Sequence, residues 1–462
     1  MMFRFILKRA LFAIAGISGS FAFVYSLAAT IGDPLAEIRL SNPPNLEYLL
    51  LATTRELRLD QSIPERFIGW YSDVWRSIFS GDFTLGTALN GRPVSEGLFT
   101  AIAPTFVLVS ISIALSLFIG STLGVFVAIG RYGLRESFSS FIAFLGYVSP
   151  VFFIGHLMKQ YVVVVINDGA NKFTDWYEPL AILSGSAIFL FGTTLIFLSH
   201  YSLDDRVAKV RFLASLMIAI PLMSLANYLL PIDTDYLAIA KNFAAALILW
   251  ILFWSVLGVG MLHRFRFGIR FGTLWLFSLI IQRLISILPT YMKRDEIAGR
   301  PFPSFAYESV WYSPPEFWVS QLDRVLHLVL PASAITITTV AIYYQVTKAT
   351  AIETLESDYV RMARAKGVNE IEVLVRHVFR SCYLSLSNTF VPNYLYLFNG
   401  VIIIELVFGW QGLGIFLMDS LFTYDLNRLM GGIFVIGLAT FIAIVGSDLL
   451  SSRIDPRIRE VG

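Results

Sequence analysis

The densest set of chemically distinctive residues lies between positions 353 and 380, where acidic, basic and small side chains gather within an otherwise apolar chain. Asp358, Tyr359, Arg361, Ala363, Arg364, Ala365, Lys366 and Gly367 read as a short helix and its stop. Ala363 and Ala365 leave room for close approach, Lys366 suits a helix C-terminus, and Gly367 accepts the left-handed conformation that ends the helix. A second short helix then carries Val373, Val375 and Phe379. This pattern makes and breaks no bonds. It suits a rigid knob that fits a groove on another protein, or an amphipathic helix resting on anionic lipid, and composition alone favours the lipid reading.

Bond-making chemistry has no foothold elsewhere. No G-x-x-x-x-G-K-[ST] loop cradles a phosphate, no His-Glu-x-x-His motif or nucleophile elbow occurs, and the five histidines are scattered. The expectation is a chain that is no enzyme, with no catalytic residue, no metal site and no cofactor of its own. Ionisable residues inside apolar runs are expensive and are functional candidates by default. His156 and Lys159, three residues apart on a helical face, are candidates to line a translocation path, although Lys159 is near enough to the outer end to snorkel. Asp448 reads as a packing anchor near the inner surface. The single cysteine, Cys382, excludes an internal disulfide and reads as a reduced structural thiol.

The elements that must position these residues are membrane spans. Of 462 residues, 56% are hydrophobic and 15% charged, and the mean hydropathy is +0.68. A soluble domain carries roughly 25% charged residues, so the fold class is an all-α polytopic membrane protein. Apolar runs place crossings near 10–31, 98–130, 138–166, 179–199, 212–230, 242–262, 271–290, 325–346, 383–404 and 429–452. The first run follows Arg4, Lys8 and Arg9 and precedes a small-x-small site at Ser26-Leu27-Ala28, as a signal peptide would, but it is long enough for an uncleaved span. Alternating the loops from an inner N-terminus gathers 20 Lys/Arg against ten Asp/Glu on one side and 13 against 22 on the other. Basic loops stay in the cytoplasm, which puts both termini there. Three longer polar stretches remain: 32–97 and 291–323 outside, and 347–382 inside. The first contains an amphipathic run near 64–79 and reads as a small ordered element. A net charge of +2 offers nothing to nucleic acid.

Residues 358–367 resemble the signature "EAA" loop of ABC importer permeases, in the form found in oligopeptide and dipeptide permeases. The resemblance continues through Arg376-His377 and Arg380, through the segment from Glu405 and Phe408 to Gly412 and Gly414, and through Asp455-Pro456-Arg457-Ile458-Arg459. Upstream it includes Gly32-Asp33-Pro34, Leu59-Asp60-Gln61, Ser149-Pro150-Val151-Phe152 and Leu326 to Ala332. It covers roughly 1–166 and 315–460, leaving 167–314 as an insertion with about four extra spans beside a core of about six. The resemblance implies three parts: 1–166 with the first three spans, the insertion, and 315–462 with the loop 347–382. It also implies that 359–367 docks into an ATPase subunit and that Glu405, Phe408, Gly412 and Gly414 shape the outer mouth. The partners it implies are a second homologous permease subunit, two ABC ATPase subunits that bind the ATP, an extracytoplasmic substrate-binding protein and membrane lipid. Peptide import is the expected activity, with nickel or another small solute as alternatives. An ion-coupled secondary transporter is the rival from another class, and it would need midplane carboxylates. Ser385 stands in the region where the family usually has a proline beyond the loop.

Overall fold

A computed structural model describes residues 2–41, 43–130, 133–172, 261–297 and 300–454, with 187, 188 and 192. Among them the regular structure is helical, and the lone β-bridge joins Thr87 to Pro93. Lipid explains this bias: a spanning helix satisfies its own N–H and C=O groups where no water can. Among the described residues, five helices are long and apolar enough to cross a membrane, or six if the bent pair Gly400–Phe408 and Leu413–Phe422 counts as one span. The chain is an all-α polytopic membrane protein. Apart from 187, 188 and 192, the expected crossings at 179–199 and 212–230, and nearly all of 242–262, lie outside the described residues.

By contacts the chain forms two compact units. One comprises Met1–His156, Pro331–Thr347 and Tyr383–Gly462; the other comprises Leu157–Leu330 and Lys348–Cys382. In the first unit, α1 (Met2–Ile31) packs along the C-terminal α15 (Leu426–Ile454). The contact is aromatic and close, with the Phe21 and Phe434 rings 5.7 Å apart. Three helices follow in the stretch read as an ordered outer element: α2 (Ala36–Ser41), α3 (Leu46–Glu56) and α4 (Ile63–Ser80). A capping box starts α4: Ser62 and Glu65 stand three apart, and the Glu65 carboxylate accepts the Ser62 backbone N–H at 3.0 Å.

The spanning helix α5 (Val94–Ile129) runs straight through Pro104, whereas the expected crossing at 138–166 does not form one helix. It divides into α6 (Leu134–Val148), α7 (Val151–Leu157), one wide π turn (Met158–Val162) and α8 (Val163–Lys172). Proline accounts for the break, because Pro150 lacks an N–H and pushes Ser149 into an extended conformation (φ −71°, ψ 127°). The span here is 151–169, not 138–166.

In the second unit, α9 (Met261–Met292) packs on α10 (Phe317–Glu356) around Tyr291, Trp318 and Leu322. Between them the irregular segment 300–316 is tied down by Asp323, which is buried. Its carboxylate accepts Tyr291 Oη–H at 2.8 Å, Ser309 Oγ–H at 2.6 Å and the Ser309 N–H at 2.8 Å.

The C-terminal part continues with α11 (Asp358–Ala365), α12 (Glu370–Val373), a π turn (Leu374–Val378), α13 (Phe379–Phe408), α14 (Leu413–Phe422) and α15. Asp425 sits at the N-terminus of α15, where its carboxylate accepts the Arg428 N–H at 3.0 Å and the Leu89 N–H at 2.8 Å, tying the 81–93 loop to that helix end. Burial pushes this carboxyl above the usual range, against the hydrogen bonds and Arg428 that favour its charged form. A raised native value means that the folded state holds the proton more tightly. The stabilisation is therefore full below the ordinary aspartate range and is lost as pH rises through the native value. In detergent, the thermal stability of the wild type relative to Asp425→Asn is expected to fall as pH rises from 4 toward 7, by at most about 1.4 kcal/mol per pH unit. Parallel curves for the two proteins would show that Asp425 carries no such linkage.

Candidate functional site

The loop at 357–378 is built as a miniature core carrying an exposed helix. Ser357 alone separates α10 from α11; it is extended (φ −66°, ψ 149°), and its carbonyl accepts the N–H groups of Val360 and Arg361 at 3.2 and 3.1 Å. At the other end Gly367 adopts φ +80°. Its N–H reaches the Arg364 carbonyl at 2.9 Å, and the Val368 N–H reaches that of Ala363 at 3.2 Å. This is the left-handed stop expected from the sequence, and it needs glycine because a Cβ strains that conformation.

Asn369 then opens α12 by accepting the Ile371 N–H at 3.0 Å. A two-pronged pair from Arg364 to Glu370, at 2.8 and 3.1 Å, clamps the two short helices together. Arg376 pairs with Glu372 at 2.8 Å. The Tyr359 ring lies 5.9 Å from that of His377.

Ala363 has a different place from the one its size suggested. It is only 9% exposed and packs with Val360 and Val373, so its smallness serves the loop's own core. The outward surface belongs to Tyr359, Arg361, Met362, Ala365 and Lys366, with Met362 at 57% exposure.

A second constellation lies where α13 breaks from α14 at an angle of 86°. Such a break strips the first turn of α14 of helical partners. Glu405, fully buried, supplies them: its carboxylate accepts the Gly414 N–H at 2.6 Å and the Ile415 N–H at 3.3 Å. Its other oxygen accepts a short hydrogen bond from Thr105 on α5, and Thr105 Oγ in turn accepts the Leu413 N–H at 2.7 Å. The two glycines follow from this carboxylate. A Cβ on Gly412 would run into Glu405 and Thr105, and one on Gly414 would come within 2.7 Å of Glu405 Oε2. Phe408 is buried, 3.1 Å from where a Cβ on Gly155 would stand, and so seals α7 against α13. Beside α14 a cavity of about 320 Å³ is lined by Arg92, Glu96, Thr100, Phe416 and Arg428.

His156 and Lys159 fall on either side of the change from α7 to the π turn. His156 is exposed, and Lys159 Nζ stands 4.9 Å from the centre of the Phe305 ring. Asp448 lies in α15, and Cys382 is buried at the start of α13. Thr105 and Asp425 were not singled out from the sequence. Asp425 had a signal, an N-cap residue before an apolar run; Thr105, 300 residues from its partner, had none.

A membrane bundle with a knob of this kind defines a class, and comparison with known proteins agrees with it. Residues 208–460, more than half of the chain, match the model of the binding-protein-dependent transport system inner membrane component, and the chain belongs to that family. The match begins inside the stretch 167–314. Among curated relatives, the chain is 32% identical to the dipeptide transport system permease protein of Escherichia coli over 30% of this chain and 41% of that one. It is 32% identical to the oligopeptide transport system permease protein of Bacillus subtilis over 29% and 43%. It is 30% identical to the glutathione transport system permease protein of Pectobacterium atrosepticum over 35% and 55%. The chain thus spans about half, or less, of the length of these relatives. It is a multi-pass membrane component of that transport family.

Removing Glu405 orphans three donors in a fully buried site, at roughly 1–3 kcal/mol each. Thermal unfolding in detergent is expected to rank Glu405→Ala as most destabilised, with Thr105→Val and Glu405→Gln milder. A Glu405→Ala protein that melts with the wild type would show that the carboxylate does not hold the break.

Proposed function

We propose that the chain is one transmembrane half of an importer that passes peptides across the inner membrane, with hydrolysis of ATP performed by two separate ATPase subunits. A second homologous permease completes the path, and an extracytoplasmic binding protein delivers the substrate. Both termini face the cytoplasm, as the distribution of basic residues favours. Peptide chemistry is the class common to the activities for which these relatives are named: dipeptide, oligopeptide and glutathione transport.

The observation that carries this reading is the stiffness of the knob. Only Ser357 separates α10 from α11, and from Glu370 the chain stays helical through the π turn into α13. A knob held this way transfers displacement to the spans instead of absorbing it. Tyr359, Arg361, Met362, Ala365 and Lys366 form the face that docks on the ATPase, Gly367 sets its end, and Asp358 and Arg364 hold it. The region of Glu405, Gly412 and Gly414 is the outer mouth, held in shape by the buried carboxylate, with Phe408 sealing behind it. His156 and Lys159 line the path in this reading.

The burial of Ala363 decides which substitution tests docking. Ala363→Asp would put a charge into the loop's own core, whereas Met362→Asp and Arg361→Glu change only the outward surface. A tagged chain purified gently from its native membrane is expected to bring an ATPase and a second permease. Met362→Asp should retain the permease and lose about tenfold or more of the ATPase, equivalent to about 1.4 kcal/mol or more of docking. Intact, folded material that brings no ATPase would overturn the reading.

A further inference from the structure

The helix α4 has three faces where two would serve an ordinary surface helix. At about 100° per residue, Ile63, Phe67, Trp70, Val74 and Ile78 fall together and turn inward. There Trp70 and Val74 are buried against α1 and α15. Glu65, Asp73, Arg76 and Ser80 fall together on a polar face. Between them runs a second apolar stripe, Pro64, Ile68, Trp75 and Phe79, confined to about 60° of arc and turned outward: Ile68 is 65% exposed and Phe79 84%. Trp75 and Phe79 stack at 6.0 Å, which holds the stripe in one arrangement.

The level of α4 is fixed by its contacts. Tyr71 Oη lies 2.8 Å from Ser18 Oγ, well inside the apolar span Leu11–Ile31 of α1, and the Trp75 ring lies 6.2 Å from that of Phe434, eight residues into α15. Tyr25, nearer the outer end of α1, meets Phe67 and Trp70. The middle of α4 therefore packs beside the apolar span of α1. The exposed stripe continues the apolar surface that α1 itself presents through Phe23, Leu27 and Ile31.

We propose that α4 is an interfacial helix whose stripe of Pro64, Ile68, Trp75 and Phe79 is seated in the bilayer. In this arrangement Glu65 and Arg76 remain at the headgroups. The occupant of the stripe is lipid because the stripe lies level with a membrane span, and because apolar and aromatic residues beside a charged face are what the headgroup and acyl boundary accepts. The topology proposed above decides only which leaflet; the seating itself does not depend on it. A helix wedged between two spans and the lipid would fix the outer element 32–97 against the membrane surface.

The test uses spin labels on the full chain in its complex, reconstituted in vesicles of phosphatidylethanolamine and phosphatidylglycerol. The one native thiol, Cys382, is 1% exposed and is replaced by Ser. Ile68→Cys and Phe79→Cys remove little packing, since both side chains are exposed; Arg76→Cys reports the polar face. Labels at 68 and 79 are expected to collide with oxygen several-fold more than with a water-soluble nickel chelate, and the label at 76 should show the opposite preference. Free collision of the chelate with the label at 79 would put the stripe in water and overturn the proposal. Exclusion of both reagents at 68 and 79 would mean that a protein surface covers the stripe, and would overturn it equally.

Discussion

A helix that breaks at the edge of an apolar layer exposes N–H groups that no water can reach, and the sharp turn after Phe408 exists only because those groups are met from within. Glu405 and Thr105 together take the N–H groups of Leu413, Gly414 and Ile415. One carboxylate thus fixes the angle of α14, the glycines at 412 and 414, and the contact between α13 and α5. The arrangement cannot be traded piecemeal. A side chain larger than hydrogen at either glycine displaces the carboxylate, and a displaced carboxylate leaves a bent span with orphaned donors.

The same constraint separates what the sequence makes legible from what it hides. Local chemistry was readable: Gly367 as a left-handed stop, the amphipathic run near 64–79, and the apolar lengths of α1, α5, α9 and α10. Each depends on residues within one or two turns of each other. The pairing of Thr105 with Glu405 spans 300 positions and leaves no local trace. Pro150 shows how close such judgements run, for Pro104 sits inside a continuous helix and Pro150 ends one. The difference lies in whether neighbouring groups can take over the lost hydrogen bond, which is a property of packing.

Ala363 teaches a related point. Small residues on a surface helix suggest close approach by a partner, yet this one is small because Val360 and Val373 close over it. What the loop offers a partner is its rigidity and its outward side chains. A groove that grips Tyr359, Arg361 and Met362 meets a body already ordered by the Arg364 to Glu370 clamp, the Asn369 cap and the Gly367 stop, so docking orders little that was loose.

That rigidity matters because of what adjoins it. The helix α10 has 40 residues, about 60 Å at 1.5 Å per residue, against roughly 30 Å of hydrocarbon. It ends one residue before the knob, and α13 leaves the knob's other side without leaving helical geometry. A displacement applied at Met362 therefore has two places to go: into bending of the 366–369 turn, which the clamp resists, or along α10 and α13 into the spans. Glu405, which sets the break, lies in the last turn of α13, and the chain keeps helical geometry from Glu370 to that bend.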